Sequence, residues 1–313
     1  MNGSGTQLHV VMYHYVRDLP NTRFPAIKGM LTRDFEAQVE SLAGRYEMAT
    51  LESALDFLAG SYLPRRDLCL LTFDDGFKDH YTDVLPILAQ RGIQGLFFVV
   101  TSCVEEHKVL PVHKNHFLMA ALGFEEYRDG VLKCLAELSA DTSTDVDMAT
   151  AQRTYRWDTP EVAALKYLLN FRLEEDLRDR LLDMLFAQHL GDEAEFSHQL
   201  YLSWEEAREM QSAGQLIGGH THTHVPLARL DDERQRADLE KCACILRERV
   251  SPQTLWPFSY PYGKSDTFNT VSIQALRDLD FACSFSTEVG PNAPNTDPYA
   301  IRRFDPKDVK RDA

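Results

Sequence analysis

The chain has 313 residues, of which 44% are hydrophobic, so it is long enough to bury one large α/β core. Its formal net charge of −15 at pH 7 argues against a nucleic-acid-binding surface. No segment approaches the roughly 18 consecutive apolar residues of a membrane span, and no basic and apolar leader opens the sequence, so we expect a cytoplasmic protein. The six cysteines form no C-x-x-C pair, which favours reduced, buried thiols over a disulfide framework.

Seven short apolar runs, separated by stretches of helical periodicity, predict a series of βαβ units. The runs cover residues 8–13, 68–73, 96–101, 216–219, 256–260, 281–285 and, more weakly, 299–302. Because they are continuous rather than alternating, we interpret them as parallel strands buried on both faces. Thr32 is the expected N-cap of a helix that includes residues 34–42, Gly92 is expected to end a helix over 81–91, and a third helix is expected over 232–249.

Residues from about 104 to 200 contain no clear strand, and helical stretches fill this region. The helical stretches cover residues 131–138, 160–171 and 173–190. We therefore predict a helical insertion, at about 104–200, within a single domain that spans residues 1–313. About seven βα steps in a chain of this length fit a (β/α) barrel better than an open sheet.

The stretch LLTFDDGF, residues 70–77, ends a buried run with two adjacent carboxylates, Asp74 and Asp75. Asp-Gly is by itself a strong turn signal, so an ordinary turn is the alternative. Two carboxylates side by side at the mouth of a buried strand repel each other unless a cation neutralises them. Since catalytic residues of barrels lie at the C-terminal ends of strands, the pair indicates a cation site there.

The stretch IGGHTHTHVPL, residues 217–227, also follows an apolar run. His220 and His224 are four residues apart, a spacing that brings two imidazoles onto one ion if the backbone turns after the strand. A solvated loop is the alternative. Two imidazoles and one carboxylate make a ligand set with open positions, suited to Zn²⁺ or another divalent ion that activates water. The second aspartate is then left as a base.

A third stretch, FSYPYG at 258–263, follows another run. Together the three stretches resemble the motifs of the polysaccharide deacetylase family, the NodB-homology domain of carbohydrate esterase family 4. The resemblance rests on TFDDG at 72–76, on His220 with His224, and on PYG at 261–263, in that order. It implies an α/β fold, a distorted (β/α)7 barrel, and metal-dependent hydrolysis of the N-acetyl group of a sugar or oligosaccharide.

The resemblance also implies a role for each residue of these motifs. Asp74 is expected to be the general base, whereas Asp75 is expected to bind the metal together with His220 and His224. The backbone amide of Tyr262 is expected to help hold the oxyanion. Zn²⁺ is the expected metal, and an N-acetylated sugar is the expected substrate. No nucleic-acid partner is expected.

Two features of the family have no match in this sequence. Many members carry an arginine two residues before the Pro-Tyr pair, where this chain has Ser259, so the arginine that orients the base is expected to be missing. No histidine follows His224, so the late histidine that supplies the general acid is missing as well. His14 is the best replacement acid because histidine titrates near neutral pH, with a structural histidine as the alternative. Its stretch, VMYHYV at 11–16, looks like the first strand of a subgroup that acts in bacterial surface-polysaccharide assembly.

Five other polar residues are weaker candidates. His222 lies between the two predicted ligands and is expected to point away from the metal. His113 and His116 share a helix face, which indicates either a solvated surface or a lid over the site. Arg302 and Arg303 either anchor an anionic substrate group or form surface salt bridges.

Three functions remain open from the sequence. The leading hypothesis is an amide hydrolase that removes an acetyl or formyl group from an amino sugar, acting on a lipid-linked or nucleotide-linked precursor in the cytoplasm. A non-haem iron oxygenase is the second, because two histidines and one carboxylate also describe that site. The third is a barrel that keeps its metal, has lost catalysis and binds a glycan.

Overall fold

Parallel strands form the central layer of the chain. The computed structural model describes residues 5–138 and 145–309, so the first four residues of the N-terminal stretch, where no leader is expected, lie outside the described part. The nine strands of the described part are β1 Leu8–Tyr13, β2 Val16–Arg17, β3 Met30–Leu31, β4 Glu47–Met48, β5 Leu68–Phe73, β6 Gly95–Val99, β7 Leu216–Gly219, β8 Pro257–Ser259 and β9 Cys283–Phe285.

Six of these strands lie side by side in the order β1-β5-β6-β7-β8-β9, all parallel, and β4 also pairs with β5. Phe285 of β9 bridges to Ile301, and Val11 of β1 bridges to Phe304. The segment 301–304 therefore connects the two outer strands of the sheet. The result is the predicted distorted (β/α)7 barrel, in which the weak run at 299–302 is reduced to isolated bridges. Strands β2 and β3 form a separate pair.

Thirteen α-helices occur in the described part. They are α1 Thr32–Arg45, α2 Leu51–Leu58, α3 Leu85–Arg91, α4 Thr101–Glu105, α5 Pro111–Leu122, α6 Phe124–Glu137, α7 Met148–Thr154, α8 Pro160–Tyr167, α9 Glu175–His189, α10 Glu193–Leu200, α11 Trp204–Ser212, α12 Asp232–Arg249 and α13 Thr270–Asp278. Single turns of π-helix precede α3 and follow α8.

Local chemistry explains most of the helix ends. Helix α11 begins with a capping box, in which the Ser203 side chain accepts from the Glu206 amide and the Glu206 side chain accepts from the Ser203 amide. Gly92 ends α3 in the left-handed conformation, as predicted. The prediction for Thr32 was wrong. Leu31 occupies the N-cap position, and the Thr32 hydroxyl instead donates to Asp83, in the π-helical turn before α3, at 2.8 Å.

The predicted strand over 96–101 ends early. Strand β6 stops at Val99, and α4 begins at Thr101. The Thr101 and Ser102 amides, which open this helix, donate to carbonyls of Thr221 and His222. A loop after another strand therefore takes the hydrogen bonds that a longer β6 would have used.

The residues divide into two compact units. The first contains the chain up to Asp18, Gly29–Glu106 and the chain from His198 onward. In its core, Tyr13, Phe73 and Phe97 of three neighbouring strands stack with ring centroids 5.2 and 4.6 Å apart. They belong to a buried cluster that also contains Phe35 of α1 and Leu88 of α3, so they pack between the strands and the surrounding helices.

The second unit contains Leu19–Lys28 and His107–Ser197. No strand is assigned to its described residues, in keeping with the helical character of the sequence. Four phenylalanines pack edge to face in its core, namely Phe24, Phe117, Phe186 and Phe196. That the chain works as one domain with an insertion stays a prediction.

None of the six cysteines forms a disulfide, and five of them are buried, as the sequence predicted. Among the helices described here, none is long and apolar enough to cross a membrane.

Candidate active site

Four strand ends bring polar side chains to one edge of the barrel. His14 directly follows β1, the Asp74–Asp75 pair follows β5, His220 follows β7, and the loop with Tyr262 follows β8. Because these strands are parallel neighbours, their carboxyl ends meet at the same edge. The structure therefore brings together every residue to which the sequence assigned a catalytic or metal-binding role.

Asp75, His220 and His224 form a buried cluster with one donor atom from each residue. The Nε2 atoms of His220 and His224 each lie 3.5 Å from Oδ1 of Asp75, and the three donor atoms lie within 4.8 Å of one another. Two ligands on a tetrahedral zinc ion, each at about 2.0–2.2 Å from the metal, are about 3.3–3.6 Å apart. The spacing and the donor types therefore fit a divalent ion such as Zn²⁺.

His220 is oriented by the strand next to its own. Its Nδ1 lies 2.7 Å from the backbone carbonyl of Ser259, which accepts the Nδ1 proton and leaves Nε2 directed at Asp75. Burial alone would lower the pKa of His220, but the hydrogen bond with Asp75 and the charges of Asp74 and Asp75 reverse the effect and raise it. The cluster thus favours positive charge, which a bound cation would supply.

Asp74 is held by a different partner. Its two oxygens each accept a hydrogen bond at 2.8 Å from the Arg303 guanidinium, one from Nη1 and one from Nη2. Both residues are almost completely buried. Asp74 therefore has both oxygens committed to Arg303, whereas Asp75 directs an oxygen at the two imidazoles. The two adjacent carboxylates therefore have different partners.

Every N–H group of the Arg303 guanidinium has an acceptor. Besides the two bonds to Asp74, Nε donates to the Ser286 carbonyl at 2.8 Å, Nη2 to the Ser259 hydroxyl at 2.9 Å and Nη1 to the Thr72 hydroxyl at 3.2 Å. A planar fork of donors that meets both oxygens of a carboxylate is the strongest geometry available to an ion pair. Arg303 is thus fixed as tightly as the carboxylate it holds.

This arrangement corrects two expectations from the sequence. The arginine that faces the predicted base is not missing, because Arg303 supplies it from the end of the chain. Ser259, at the family's usual arginine position, is small enough to admit the guanidinium and accepts a bond from it. Arg303 is also neither a substrate anchor nor a surface residue, since only 1% of it is exposed. Arg302 is exposed.

Burial alone would raise the pKa of Asp74. The positive charges of Arg303, His220 and His14 and the hydrogen bonds from Arg303 outweigh burial and lower the pKa overall. Asp74 is therefore ionised at neutral pH. An ionised carboxylate beside a cation site can accept a proton from water.

His14 lies at the open side of this pair. Its Nε2 is 4.0 Å from Oδ2 of Asp74, and 43% of its side chain is exposed. Behind it, Nε2 of the buried His80 donates to the His14 carbonyl at 2.9 Å. Burial lowers the pKa of His80 to about 4, so His80 is a neutral donor that fixes the backbone of His14. His14 therefore combines a fixed position with access from solvent.

The Tyr262 peptide is fixed from the next strand end. The Thr287 hydroxyl donates to the Tyr262 carbonyl at 2.6 Å, and the Thr287 amide donates to the Gly263 carbonyl at 2.8 Å. The Tyr262 ring lies 5.2 Å from the His224 ring. The backbone that is expected to face an oxyanion is thus rigid and adjacent to the metal cluster.

Four residues of these loops adopt left-handed backbone conformations that only glycine adopts freely. The φ angles are 75° at Asp75, 65° at Thr221, 61° at His224 and 60° at Tyr262. Such conformations cost on the order of 1–3 kcal/mol each and persist only when the surroundings enforce them. Their concentration at one edge of the barrel marks this edge as a functional site.

The remaining candidates are not members of the cluster. His222 points away from the cluster, as predicted, with Nδ1 2.9 Å from the Thr101 hydroxyl and Nε2 3.0 Å from Glu106. His113 is 1% exposed, so the prediction of a solvated face was wrong for this residue; His116 is partly buried, with its ring centroid 6.1 Å from that of His113. The two histidines belong to the second unit and not to the barrel.

The contact of Arg303 with Asp74 was not predicted, although the sequence contains one signal for it. In the run YAIRRF, residues 299–304, alternation places Ile301 and Arg303 on one side and Arg302 on the other. Ile301 is buried in the core, so Arg303 points inward as well. A buried cation implies a buried anion, and Asp74 is the partner found.

Much of the chain matches a known sequence family. The family model described as Polysaccharide deacetylase matches residues 63–143 and 179–284. These segments include Asp74, Asp75, His220, His224 and Tyr262. His14 and Arg303 lie outside them.

One curated relative and several solved structures are similar to this chain. The Bacillus subtilis protein "Putative polysaccharide deacetylase YxkH" is 28% identical over 111 residues, which span 35% of this chain and 35% of that protein. Streptococcus pyogenes deacetylase PplD in complex with acetate has a TM-score of 0.57 at 14% identity and covers 97% of this chain and 96% of its own. IcaB from Ammonifex degensii has a TM-score of 0.54 at 21% identity, with coverages of 95% and 93%.

At these identities the solved structures show a shared fold, which agrees with the barrel described above. The family model, in contrast, matches more than half of the chain and contains the motifs that carry the metal cluster and its neighbouring carboxylate. The chain belongs to the polysaccharide deacetylase family.

Proposed function

We propose that this protein is a metal-dependent hydrolase. It removes the N-acetyl group from an amino sugar of a surface polysaccharide or its precursor. One observation carries the proposal: the buried Asp75, His220 and His224 cluster stands beside Asp74, a second carboxylate held apart by Arg303. One carboxylate is available to a cation and the other to a proton. Hydrolysis of an amide needs both.

Asp75, His220 and His224 would hold the divalent ion, for which Zn²⁺ fits best. When bound, such an ion polarises an acyl carbonyl and makes water more acidic. Asp74 accepts the proton of the attacking water, because it is ionised and Arg303 keeps it in one orientation. The Tyr262 amide supports the negative charge that develops on the acyl oxygen.

His14 donates a proton to the leaving nitrogen. The nitrogen of an amide must be protonated as the C–N bond breaks, and a histidine beside the base can deliver that proton. The 4.0 Å separation of His14 Nε2 and Asp74 Oδ2 supports this role, because both groups reach the same small volume. The exposed face of His14 allows it to be protonated again from solvent.

The similar PplD structure is a complex with acetate, which is the product that removal of an acetyl group would release. The cysteines, none of which forms a disulfide, fit a reducing compartment. We therefore include in the proposal an N-acetylated sugar as substrate and a cytoplasmic precursor as its form.

Two observations weigh against the alternatives. A parallel (β/α) barrel is unlike the jelly roll expected of a non-haem iron oxygenase. A glycan-binding barrel without catalysis drew its support from the missing arginine and the missing late histidine. Arg303 removes the first of these, because the predicted base has its orienting partner, and we propose His14 in place of the second.

The experiment compares Asp74→Asn with Asp75→Asn, measuring bound metal and release of acetate from a panel of N-acetylated sugars. Asp74→Asn should retain the metal and lose turnover by roughly 10²-fold or more. Asp75→Asn should lose both. Loss of metal only in Asp74→Asn would mean that the two roles are reversed. Absence of metal from the unmodified protein would refute the proposal.

A further inference from the structure

The loop that connects the two histidines of the cluster is strained. Residues 221–224 follow β7, and both Thr221 and His224 adopt left-handed φ angles of 65° and 61°. Threonine is β-branched, so this conformation is especially unfavourable for Thr221. Without these two left-handed residues, the chain would continue away from β7, and His224 would not return to face His220. Something outside the loop must therefore enforce its shape.

One carboxylate supplies that constraint by accepting three hydrogen bonds from the loop. Asp238 of α12 accepts from the His222 amide at 2.7 Å, from the Thr223 amide at 3.1 Å and from the Thr223 hydroxyl at 2.5 Å. Asp238 is only 9% exposed. Both of its oxygens therefore bind the two residues midway between the metal-binding histidines.

The other side of the loop is also held. The Thr101 and Ser102 amides, at the start of α4, donate to the Thr221 and His222 carbonyls at 3.3 and 3.1 Å. Inside the loop, the Thr221 hydroxyl accepts from the His224 amide at 2.8 Å. The amides on one side face Asp238 and the carbonyls on the other face α4. Of these partners, Asp238 is the one whose charge can be removed with little change in size.

We propose that Asp238 is a positioning residue of the metal centre: its carboxylate holds the loop in the strained conformation that presents His220 and His224 together, and thereby sets the metal affinity. The inference rests on the proposed metal site but concerns a residue that touches neither the metal nor the substrate. A loop that is already ordered before the ion binds loses less conformational entropy on binding, so its affinity for the ion is higher.

The test is the Zn²⁺ affinity of purified Asp238→Asn, measured by competition with a chelator. Asparagine has the same shape as aspartate, but its NH₂ group would face a donor of the loop in place of an acceptor oxygen. At least one of the three hydrogen bonds to residue 238 is therefore lost. The affinity should fall by roughly 10–100-fold. Glu240→Gln, on the exposed side of the same helix, is the matched control and should bind Zn²⁺ as the unmodified protein does.

Two further measurements separate positioning from plain stability. At saturating Zn²⁺, the kcat of Asp238→Asn should return to near the unmodified value, because the ligands themselves are intact. Thr223→Val removes only the hydroxyl donor, so it should lower the affinity by a smaller factor. This variant decides the matter if Asp238→Asn does not fold.

The outcomes are distinct. Unchanged affinity in both variants, or a loss of thermal stability without a loss of affinity, would overturn the inference while leaving the metal site in place. If the unmodified protein and His220→Ala bind Zn²⁺ equally, the proposed metal site fails, and the inference fails with it.

Discussion

The buried pair of Asp74 and Arg303 gives two identical neighbours different surroundings. Asp74 and Asp75 are adjacent in sequence and both buried. The guanidinium occupies both oxygens of the first, and the imidazoles face the second. Because both oxygens of Asp74 are bound to the guanidinium, Asp74 cannot also turn toward an ion, and this supports the proposal that Asp75 is the metal ligand.

Arg303→Lys should therefore impair turnover more than metal binding. Lysine keeps the charge but cannot meet both oxygens of Asp74, so the base loses its fixed orientation. A misplaced catalytic group can cost about 10² in kcat. Measurement of kcat and metal content checks this, with Arg302→Lys as the exposed neighbour for comparison. Turnover near the unmodified level in Arg303→Lys would contradict the role of the pair.

His14→Ala should keep the metal and lose about 10² in kcat, because a general acid contributes about that much to such a reaction. The alkaline limb of the pH–rate profile, which reports loss of the acidic proton, should disappear. His9→Ala, within β1 and beside Asp67, serves as the control. An unchanged profile in His14→Ala would show that another group protonates the leaving nitrogen.

At the scale of single elements, the close packing of β7 limits the position of the proposed metal site. Gly218 sits between two neighbouring strands, and a Cβ atom there would lie 2.5 Å from the Pro257 carbonyl oxygen and 2.7 Å from the Phe98 ring. No side chain fits this space without moving the strands apart. Because His220 follows within two residues, any such movement would displace this proposed metal ligand.

Gly218→Ala is expected to destabilise the protein by about 1–3 kcal/mol, the usual cost of overpacking, and to weaken Zn²⁺ binding. Gly44→Ala provides the opposite case. A Cβ at Gly44 meets nothing within 4 Å, and alanine in a helix gains about 0.5–1 kcal/mol over glycine. Thermal unfolding and metal titration of both variants test the pair. A neutral Gly218→Ala would show that β7 can shift without consequence.

At the scale of the whole molecule, the proposed metal site would link stability to pH. In the metal-free protein, the pKa of His220 is higher in the folded state than in the unfolded state, where it is about 6.5. Protonation of His220 therefore stabilises the folded state. This stabilisation is fully present below the unfolded-state pKa and is lost as pH rises through the folded-state pKa. Zn²⁺ requires the neutral imidazole and competes with that proton. Metal and proton thus stabilise the same cluster in different pH ranges.

The increase in Tm caused by Zn²⁺ should therefore be small near pH 5 and should grow as pH rises through the raised pKa of His220. At a free Zn²⁺ concentration of about 100 times the Kd, the stabilisation reaches about 2.7 kcal/mol. Thermal unfolding with and without a chelator, across this range, checks the trend. His220→Ala should show no increase at any pH. An effect that is largest at acidic pH would contradict the assignment.

The sequence by itself determined the barrel and the position of the cluster. Continuous apolar runs of fixed length predict buried parallel strands, and side chains that directly follow such strands must meet at one edge. Asp75, His220 and His224 could be grouped on that basis, since each is within a few residues of a strand end. Strands β1, β5 and β7 have the predicted limits because their apolar runs end abruptly at polar or glycine residues.

Only the tertiary structure decided which side chains face each other across the barrel. Arg303 and Asp74 are 229 residues apart, and Asp238 reaches the loop of His222 from a helix whose sequence shows only a charged surface pattern. Local patterns carry no information about such pairs, because they depend on how strands and helices pack. The two hydrogen bonds from Arg303 to Asp74 and the three hydrogen bonds from the histidine loop to Asp238 arise from that packing. They determine how the cluster can work.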